Sequence, residues 1–277
     1  MRDNPTVTIS YPETIAVAPA NRPIVATVRV PGSKSITNRA LLIAGLAEGR
    51  TTIEGALFSD DTHYLSAALR ALGCTVAEDP VSERFVVDGA GGPFPATAAD
   101  LFVGNAGTAM RFLVGVLPLG RGRFRVDGVG RMRERPIGPL IDGLRQLGVN
   151  VRAEFANDCP PVVIEANGVR GGRVKMAGAR SSQYFSALLM AAPLTAHGIQ
   201  IEVDGELVSR PFIDLTLAVM AGVWRSRPPR GLSHHWCAGR AALPRADLSR
   251  RAGCDGGIVL FRRCRGHGWD GHRRRAD

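Results

Sequence analysis

Three times along this chain a turn of small and polar residues opens an apolar helix pattern, and on the third pass the unit breaks off after Gly222. The openings are Gly32-Ser33-Lys34-Ser35-Ile36-Thr37-Asn38-Arg39, Gly104-Asn105-Ala106-Gly107-Thr108-Ala109-Met110-Arg111 and Ala179-Arg180-Ser181-Ser182-Gln183-Tyr184. Each is followed by a second helical pattern ending in a glycine, at Gly73, Gly148 and Gly222, which stand 75 and 74 positions apart. A unit of this size cannot bury its own apolar faces, so copies of it must pack around a shared core.

Within the first copy, Ile24 to Val30 reads as a strand ending at Pro31-Gly32, and Ser33 is placed to cap a helix through Leu46. Thr51 to Leu57 reads as a strand, Asp60-Asp61 opens a second helix, and Gly73 supplies its stop. Cys74 to Ala77 and Arg84 to Asp88 close the unit as a hairpin-like pair. The second copy runs from about Leu101 to Ala166, with an inner strand at Phe124 to Asp127, a helix from Ile137 to Leu147, and closing strands at Val149 to Arg152 and Val162 to Glu165. The third supplies Val174 to Met176, a helix from Ser182, the strand Ile199 to Val203 and a helix from Pro211 to Met220, without closing strands. The expectation is an α/β fold of repeated βαβαββ units around shared helices.

The net charge of +10 would suggest a nucleic-acid or anionic-membrane partner, but its distribution argues otherwise. Residues 224–277 hold 13 Arg, no Lys and 4 Asp, so residues 1–223 carry only +1. The same segment holds all three Trp and three of the five Cys. Two compositions therefore meet near Val223. Met1 to Ala20 carries no basic segment leading into an apolar stretch, and no later run is long enough to span a membrane, so a cytoplasmic location is expected. Irregular cysteine spacing argues against a disulfide framework, and Cys74 and Cys159 are expected to be reduced, packed thiols.

Helix N-termini present free backbone N–H groups and the positive end of the helix dipole, so three equivalent openings directed to one place would hold a ligand with several anionic groups. Lys34, Ser35 and Arg39, then Asn105, Gly107 and Thr108, then Ser181, Ser182 and Gln183 occupy those openings. Arg131-Met132-Arg133-Glu134-Arg135-Pro136 adds cations suited to gripping carboxylate or phosphate with paired hydrogen bonds. Each has a plainer reading when taken singly. A Ser at a helix start is more often a cap than a ligand contact, Arg39 alone is a solvated cation, and Asp60-Asp61 alone is a charged helix start. Recurrence at matching positions of a repeat favours the site. Neither a Walker loop nor a Rossmann glycine fingerprint is present.

Taken together and in order, Pro31 to Ala40, Gly104 to Arg111, Arg131 to Ile137 and Ser181-Ser182-Gln183 resemble the signature series of the 5-enolpyruvylshikimate-3-phosphate synthase family, over about Val28 to Val223. The resemblance implies transfer of the enolpyruvyl group of phosphoenolpyruvate to the 5-hydroxyl of shikimate 3-phosphate, with release of phosphate, in aromatic amino-acid biosynthesis. It implies no metal or organic cofactor, a monomer, and no nucleic-acid or membrane partner. It places shikimate 3-phosphate on Lys34, Ser35, Arg39, Ser181, Ser182, Gln183 and Ser209, and phosphoenolpyruvate on Lys34, Asn105, Gly107, Arg135 and Gln183. Gly107 is expected to let that ligand approach the backbone. Phe212 stands where the family often has Tyr, which removes a hydroxyl contact.

The resemblance also implies a second lobe that supplies the catalytic acid and base. Nothing in this sequence matches it, so Lys34 is the closest catalytic candidate and the chain alone is expected to bind without turning over. Residues 1–223 read as the N-terminal lobe, 1–22 as a segment that crosses to the second lobe, and 224–277 as an Arg-rich tail outside the native pattern, most simply an out-of-frame sequence. Two other readings of that tail are a nucleic-acid-binding arm, which would make the chain a basic binding protein, and a zinc site on Cys237, Cys254, Cys264 and His267. Within the superfamily the alternative is a UDP-sugar enolpyruvyl transferase, disfavoured because Leu117 to Arg123 lacks a reactive cysteine.

Overall fold

A computed structural model describes residues 13–16, 19, 23 and 27–224, together with the backbone of 259–263. The first unit comprises α1 (Lys34–Leu46), β1 (Glu48–Glu54), α2 (Asp60–Ala71), β2 (Thr75–Asp79) and β3 (Arg84–Ala90). The second comprises β4 (Ala98–Phe102), α3 (Gly107–Val116), β5 (Arg121–Asp127), α4 (Gly138–Gln146), β6 (Asn150–Ala153) and β7 (Val162–Asn167). The third comprises β8 (Gly172–Ala177), α5 (Ser182–Ala191), β9 (Ile199–Asp204) and α6 (Pro211–Trp224). A last strand, β10, covers Val259–Arg263.

Unit two shows the complete pattern. Its sheet runs β4-β5-β7-β6, with β4 parallel to β5 and the other pairs antiparallel. Phe124 and Val126 of β5 face inward and are buried, while Arg123 and Arg125 alternate outward, as a sheet covered on one face requires. Unit one repeats β1-β3-β2. Among the described residues, unit three has only the parallel pair β8-β9, and on β9 the pattern is incompletely covered, with Val203 37% exposed.

The core lies between the sheets. Helices α1, α3 and α5, one from each unit, are apolar on nearly every side and accordingly buried, and α3 packs along α5. Their approach is close because Gly115 faces Ala187, where a Cβ on residue 115 would come within 2.6 Å of the Ala187 Cβ. Helices α2 and α4 each keep an exposed face, and α6 packs on α1 and α5. Cys74 is buried with its thiol donating to the Gly45 carbonyl at 3.5 Å, and burial raises its pKa to about 11; both Cys74 and Cys159 are free thiols.

Four details differ from the sequence reading. Thr27 to Val30 form no strand; Val28 and Val30 are exposed, and the outer edge of β1, the place that β4 takes beside β5, is paired antiparallel with β10. That strand lies within residues 224–277, read above as an Arg-rich tail outside the native pattern; the branched and aromatic run Val259-Leu260-Phe261 suits strand pairing. Gly222 does not end its helix as Gly73 and Gly148 end theirs. Those two adopt φ of +98° and +79°, whereas α6 continues through Gly222 because Val223 and Trp224 are buried. Ser33 occupies the N-cap position of α1 without a side-chain cap; its carbonyl instead accepts from the Thr37 N–H and hydroxyl.

Candidate functional site

The helix openings of units two and three meet directly. Gln183, second residue of α5, donates from Nε2 to Oγ1 of Thr108, second residue of α3, at 3.2 Å. The two residues share one side of the repeat because each helix starts at the same point of its unit. Ser181 caps α5 by accepting from the Gln183 N–H at 3.3 Å, so the plainer reading of this serine holds for the free protein. Ser182 beside it is buried.

Arg135 closes the α3 opening from the loop after β5. Its Nη1 donates to the Asn105 carbonyl at 3.0 Å and to Asn105 Oδ1 at 3.4 Å. The guanidinium lies against Gly107, where a Cβ would come within 2.5 Å of Cζ. The missing side chain at 107 was expected to admit a ligand to the backbone; here it admits Arg135. Burial, with the nearby Arg111 charge, lowers the pKa of Arg135 from its ordinary value.

Arg111 supports this arrangement from beneath. It is 8% exposed, donates from Nη1 to Gly107 O at 3.0 Å and Gln183 Oε1 at 3.2 Å, and from Nη2 to Pro136 O at 3.3 Å. Its guanidinium carbon lies 5.6 Å from the Tyr184 ring centroid, and the Tyr184 hydroxyl donates to the same Pro136 carbonyl at 2.8 Å. Buried Arg111 Nε has no acceptor among the described residues.

At the α1 opening, Lys34 Nζ lies 3.5 Å from Asp61 Oδ2, and the Asp61 charge also acts on Arg135. Ser35 is half-buried beside Lys34. Arg39, expected to hold shikimate 3-phosphate, is engaged with its own protein in the free chain. It is 2% exposed, and its donors go to Thr216 Oγ1 at 2.7 Å, Ser35 O at 2.8 Å, Ser186 Oγ at 3.2 Å and Phe212 O at 3.3 Å. One of its five N–H groups remains uncommitted by these bonds. Burial lowers its pKa to about 10, and it lies 5.2 Å from the Phe112 ring centroid and 5.7 Å from that of Phe212. This side chain ties α1 to α5 and α6. Ser209, exposed at φ +56°, precedes α6 and accepts from the Phe212 N–H at 3.1 Å.

The structure thus brings Asn105, Gly107, Arg135, Thr108 and Gln183 into one contiguous network, with Ser181 and Ser182 on its α5 side. Lys34 and Ser35 stand at the start of α1, Lys34 paired with Asp61 and the Ser35 carbonyl held by Arg39, and Ser209 and Phe212 reach α1 through Arg39. Sequence reading missed Arg111 and Tyr184 as parts of this network, and Asp61 as the partner of Lys34. Arg111 carried a usable signal, a lone cation within the apolar run Met110-Arg111-Phe112-Leu113; Asp61 carried none beyond its place in a helix start.

The family model for EPSP synthase (3-phosphoshikimate 1-carboxyvinyltransferase) matches residues 19–223. The chain belongs to this family. A chloroplastic 3-phosphoshikimate 1-carboxyvinyltransferase of Solanum lycopersicum is 47% identical over 221 residues, covering 77% of this chain and 42% of the relative. The Shewanella piezotolerans 3-phosphoshikimate 1-carboxyvinyltransferase is 52% identical over 196 residues, covering 70% of this chain and 46% of the relative. Among solved structures, the EPSP synthase of Acinetobacter baumannii superposes with a TM-score of 0.58 at 26% identity, over 65% of this chain and 41% of that one. The chain therefore spans less than half the length of these relatives. Every helix opening that forms the network lies inside the matched segment. Among the described residues, no His, Cys, Asp and Glu group could hold a metal, and no helix is long and apolar enough to cross a membrane. The zinc and nucleic-acid readings of the tail rest on residues 225–258 and 264–277, which lie outside the described residues.

Proposed function

We propose that this EPSP synthase family chain holds shikimate 3-phosphate and phosphoenolpyruvate at the three helix openings, as a cytoplasmic monomer without metal or cofactor, for enolpyruvyl transfer between them. The observation that carries the proposal is the junction of two openings by Gln183 and Thr108, with Arg135 seated on Gly107 beside them. The shikimate phosphate lies on Ser181, Ser182 and Ser209 at the starts of α5 and α6, where N–H groups and helix dipoles favour an anion. Lys34 and Ser35 hold the shikimate ring, Gln183 lies between the two ligands, and Arg39 fixes α1 against α6 instead of gripping the phosphate itself. Phosphoenolpyruvate occupies Asn105, Gly107 and Arg135, with Lys34 reaching it from α1.

In the reaction, the 5-hydroxyl oxygen bonds to the enol carbon as its proton leaves, and the methylene carbon takes a proton. The resulting tetrahedral intermediate expels phosphate and loses a methyl proton to restore the enol ether. Lys34 and Arg135 stabilise the anionic groups through these steps, since fixed cations in a partly buried site need no reorganisation as charge develops. Neither is assigned as the acid or base, a task the proposal places on the part of the relatives that this chain does not span.

The ³¹P resonance of shikimate 3-phosphate tests this reading. Titrating the 277-residue chain into the compound is expected to shift the signal saturably, and Ser182→Ala is expected to weaken binding on the order of ten-fold, about 1.4 kcal/mol. An unmoved resonance with folded protein in excess would overturn it.

A further inference from the structure

The loop that delivers Arg135 carries three arginines within five residues, Arg131, Arg133 and Arg135, and the structure sorts them. Arg131 is spent on Glu134, with Nη1 to Oε2 at 2.5 Å. Arg133 grips Asp127 with both arms of its fork, Nε to Oδ1 at 3.0 Å and Nη2 to Oδ2 at 2.6 Å. Arg135 alone makes its hydrogen bonds to a neutral residue, Asn105, and among the described residues it forms no ion pair. Two of the three guanidiniums are thus in ion pairs within the protein, while Arg135, which feels the Asp61 charge without an ion pair to it, keeps its fork for an outside anion.

Asp127 is the residue on which the sorting turns. It ends β5, is 6% exposed, and receives two further donors, the Gly128 N–H at 2.7 Å and Arg125 Nη2 at 3.1 Å. Arg125 is held in turn by both oxygens of Glu154. Burial pushes the Asp127 carboxyl up, but the hydrogen bonds from Arg133 and Gly128 and the two arginine charges outweigh it and hold the carboxyl below its ordinary value.

From that anchor the loop has little freedom. Val129 N–H bonds to Gly104 O at 3.1 Å, Met132 is buried with its N–H on Val129 O at 2.8 Å, and Arg135 N–H bonds to Met132 O at 3.0 Å. On the far side the Pro136 carbonyl is taken by Arg111 and Tyr184. We propose that Asp127 is a positioning residue for Arg135: by clasping Arg133 it fixes the 128–135 loop and keeps the competing guanidinium out of the cleft, so that Arg135 alone meets the carboxylate or phosphate of the ligand. This rests on the function proposed above. Without the clasp, Arg135 would seat against Gly107 only part of the time, and an arginine misplaced by about 1 Å loses much of its effect.

The test combines phosphoenolpyruvate titration with arginine Nε–H NMR spectra of the 277-residue chain. Asp127→Ala and Arg133→Gln are each expected to weaken phosphoenolpyruvate binding on the order of ten-fold, and Asp127→Ala to add nothing in an Arg135→Ala background. The Arg135 resonance is expected to move in both single variants while that of Arg39, in the helical core, stays in place as the control for folding. Additive losses in the double variant, or an Arg135 resonance unmoved by Arg133→Gln, would overturn the proposal. Should the unaltered chain bind no phosphoenolpyruvate, the function proposed above fails, and the Arg135 resonance still decides whether Asp127 positions that side chain. Arg133→Gln retains the buried carboxylate and serves as the deciding variant if Asp127→Ala does not fold.

Discussion

Arg135 occupies the space that a side chain at Gly107 would fill, with its Nη2 within 2.5 Å of where that Cβ would stand. The contact is with the guanidinium itself, the part of Arg135 that would meet a ligand. Gly107→Ala is therefore expected to move Arg135 off Asn105 and to weaken phosphoenolpyruvate binding by about ten-fold or more, while shikimate 3-phosphate binding changes little. Calorimetric titration with each compound checks this; equal weakening of both would mean that the α3 start is distorted as a whole.

Arg39 is a buried cation with four hydrogen bonds to neutral acceptors. A lysine keeps the charge but replaces the planar fork with a compact ammonium that cannot reach the same set. Arg39→Lys is expected to lower stability by about 2–3 kcal/mol, since buried acceptors lose their donor. Urea unfolding followed by circular dichroism measures it, and a change below about 0.5 kcal/mol would show that α1 and α6 do not depend on this tie.

How much of this was legible in the residues follows from what sets each feature. Gly73 and Gly148 end their helices with left-handed backbone, a local requirement, so the period of the repeat could be read directly. The meeting of Gln183 with Thr108 followed from the repeat, because equivalent openings belong on one side. The partners that hold Arg39 within the protein were not legible: Thr216 and Ser186 lie 177 and 147 positions from it along the chain. No local pattern marks such a contact. Asp127 was passed over although its donors Arg125, Gly128 and Arg133 are all close in sequence, because a single acid at the end of a strand carries no pattern that marks it.

Gly115 sets two effects against each other. Alanine favours a helix over glycine by about 1 kcal/mol, but its Cβ would lie 2.6 Å from the Ala187 Cβ and 3.1 Å from the Ala187 carbonyl carbon. Backbone atoms of a packed helix cannot move aside cheaply, so overpacking by about 1–3 kcal/mol is expected to win. Gly115→Ala should unfold at lower urea concentration than the unaltered chain, and a higher midpoint would contradict the close α3–α5 packing.

Acid should act through Asp127. Its folded-state pKa is lowered, so the unfolded chain takes up protons first as pH falls. The stability it contributes is fully present above the unfolded carboxyl value of about 3.9 and is lost as pH drops through the lower folded value. Glu154 and Asp79 are lowered as well, Glu154 chiefly by the hydrogen bond from Arg125 and Asp79 chiefly by that from the Ser82 N–H. Asp127→Asn is expected to reduce stability at pH 7 and to flatten its decline below about pH 4. An unchanged acid limb in urea titrations at several pH values would contradict this.

The central claim is that the helix openings form one site with two separable halves. Calorimetric titration of shikimate 3-phosphate and phosphoenolpyruvate into the chain, with Ser182→Ala and Arg135→Ala alongside, tests it most directly. The account predicts that Ser182→Ala chiefly weakens shikimate 3-phosphate and Arg135→Ala chiefly weakens phosphoenolpyruvate. Saturable binding of neither compound by a folded chain, or equal weakening of both compounds by each substitution, would contradict it.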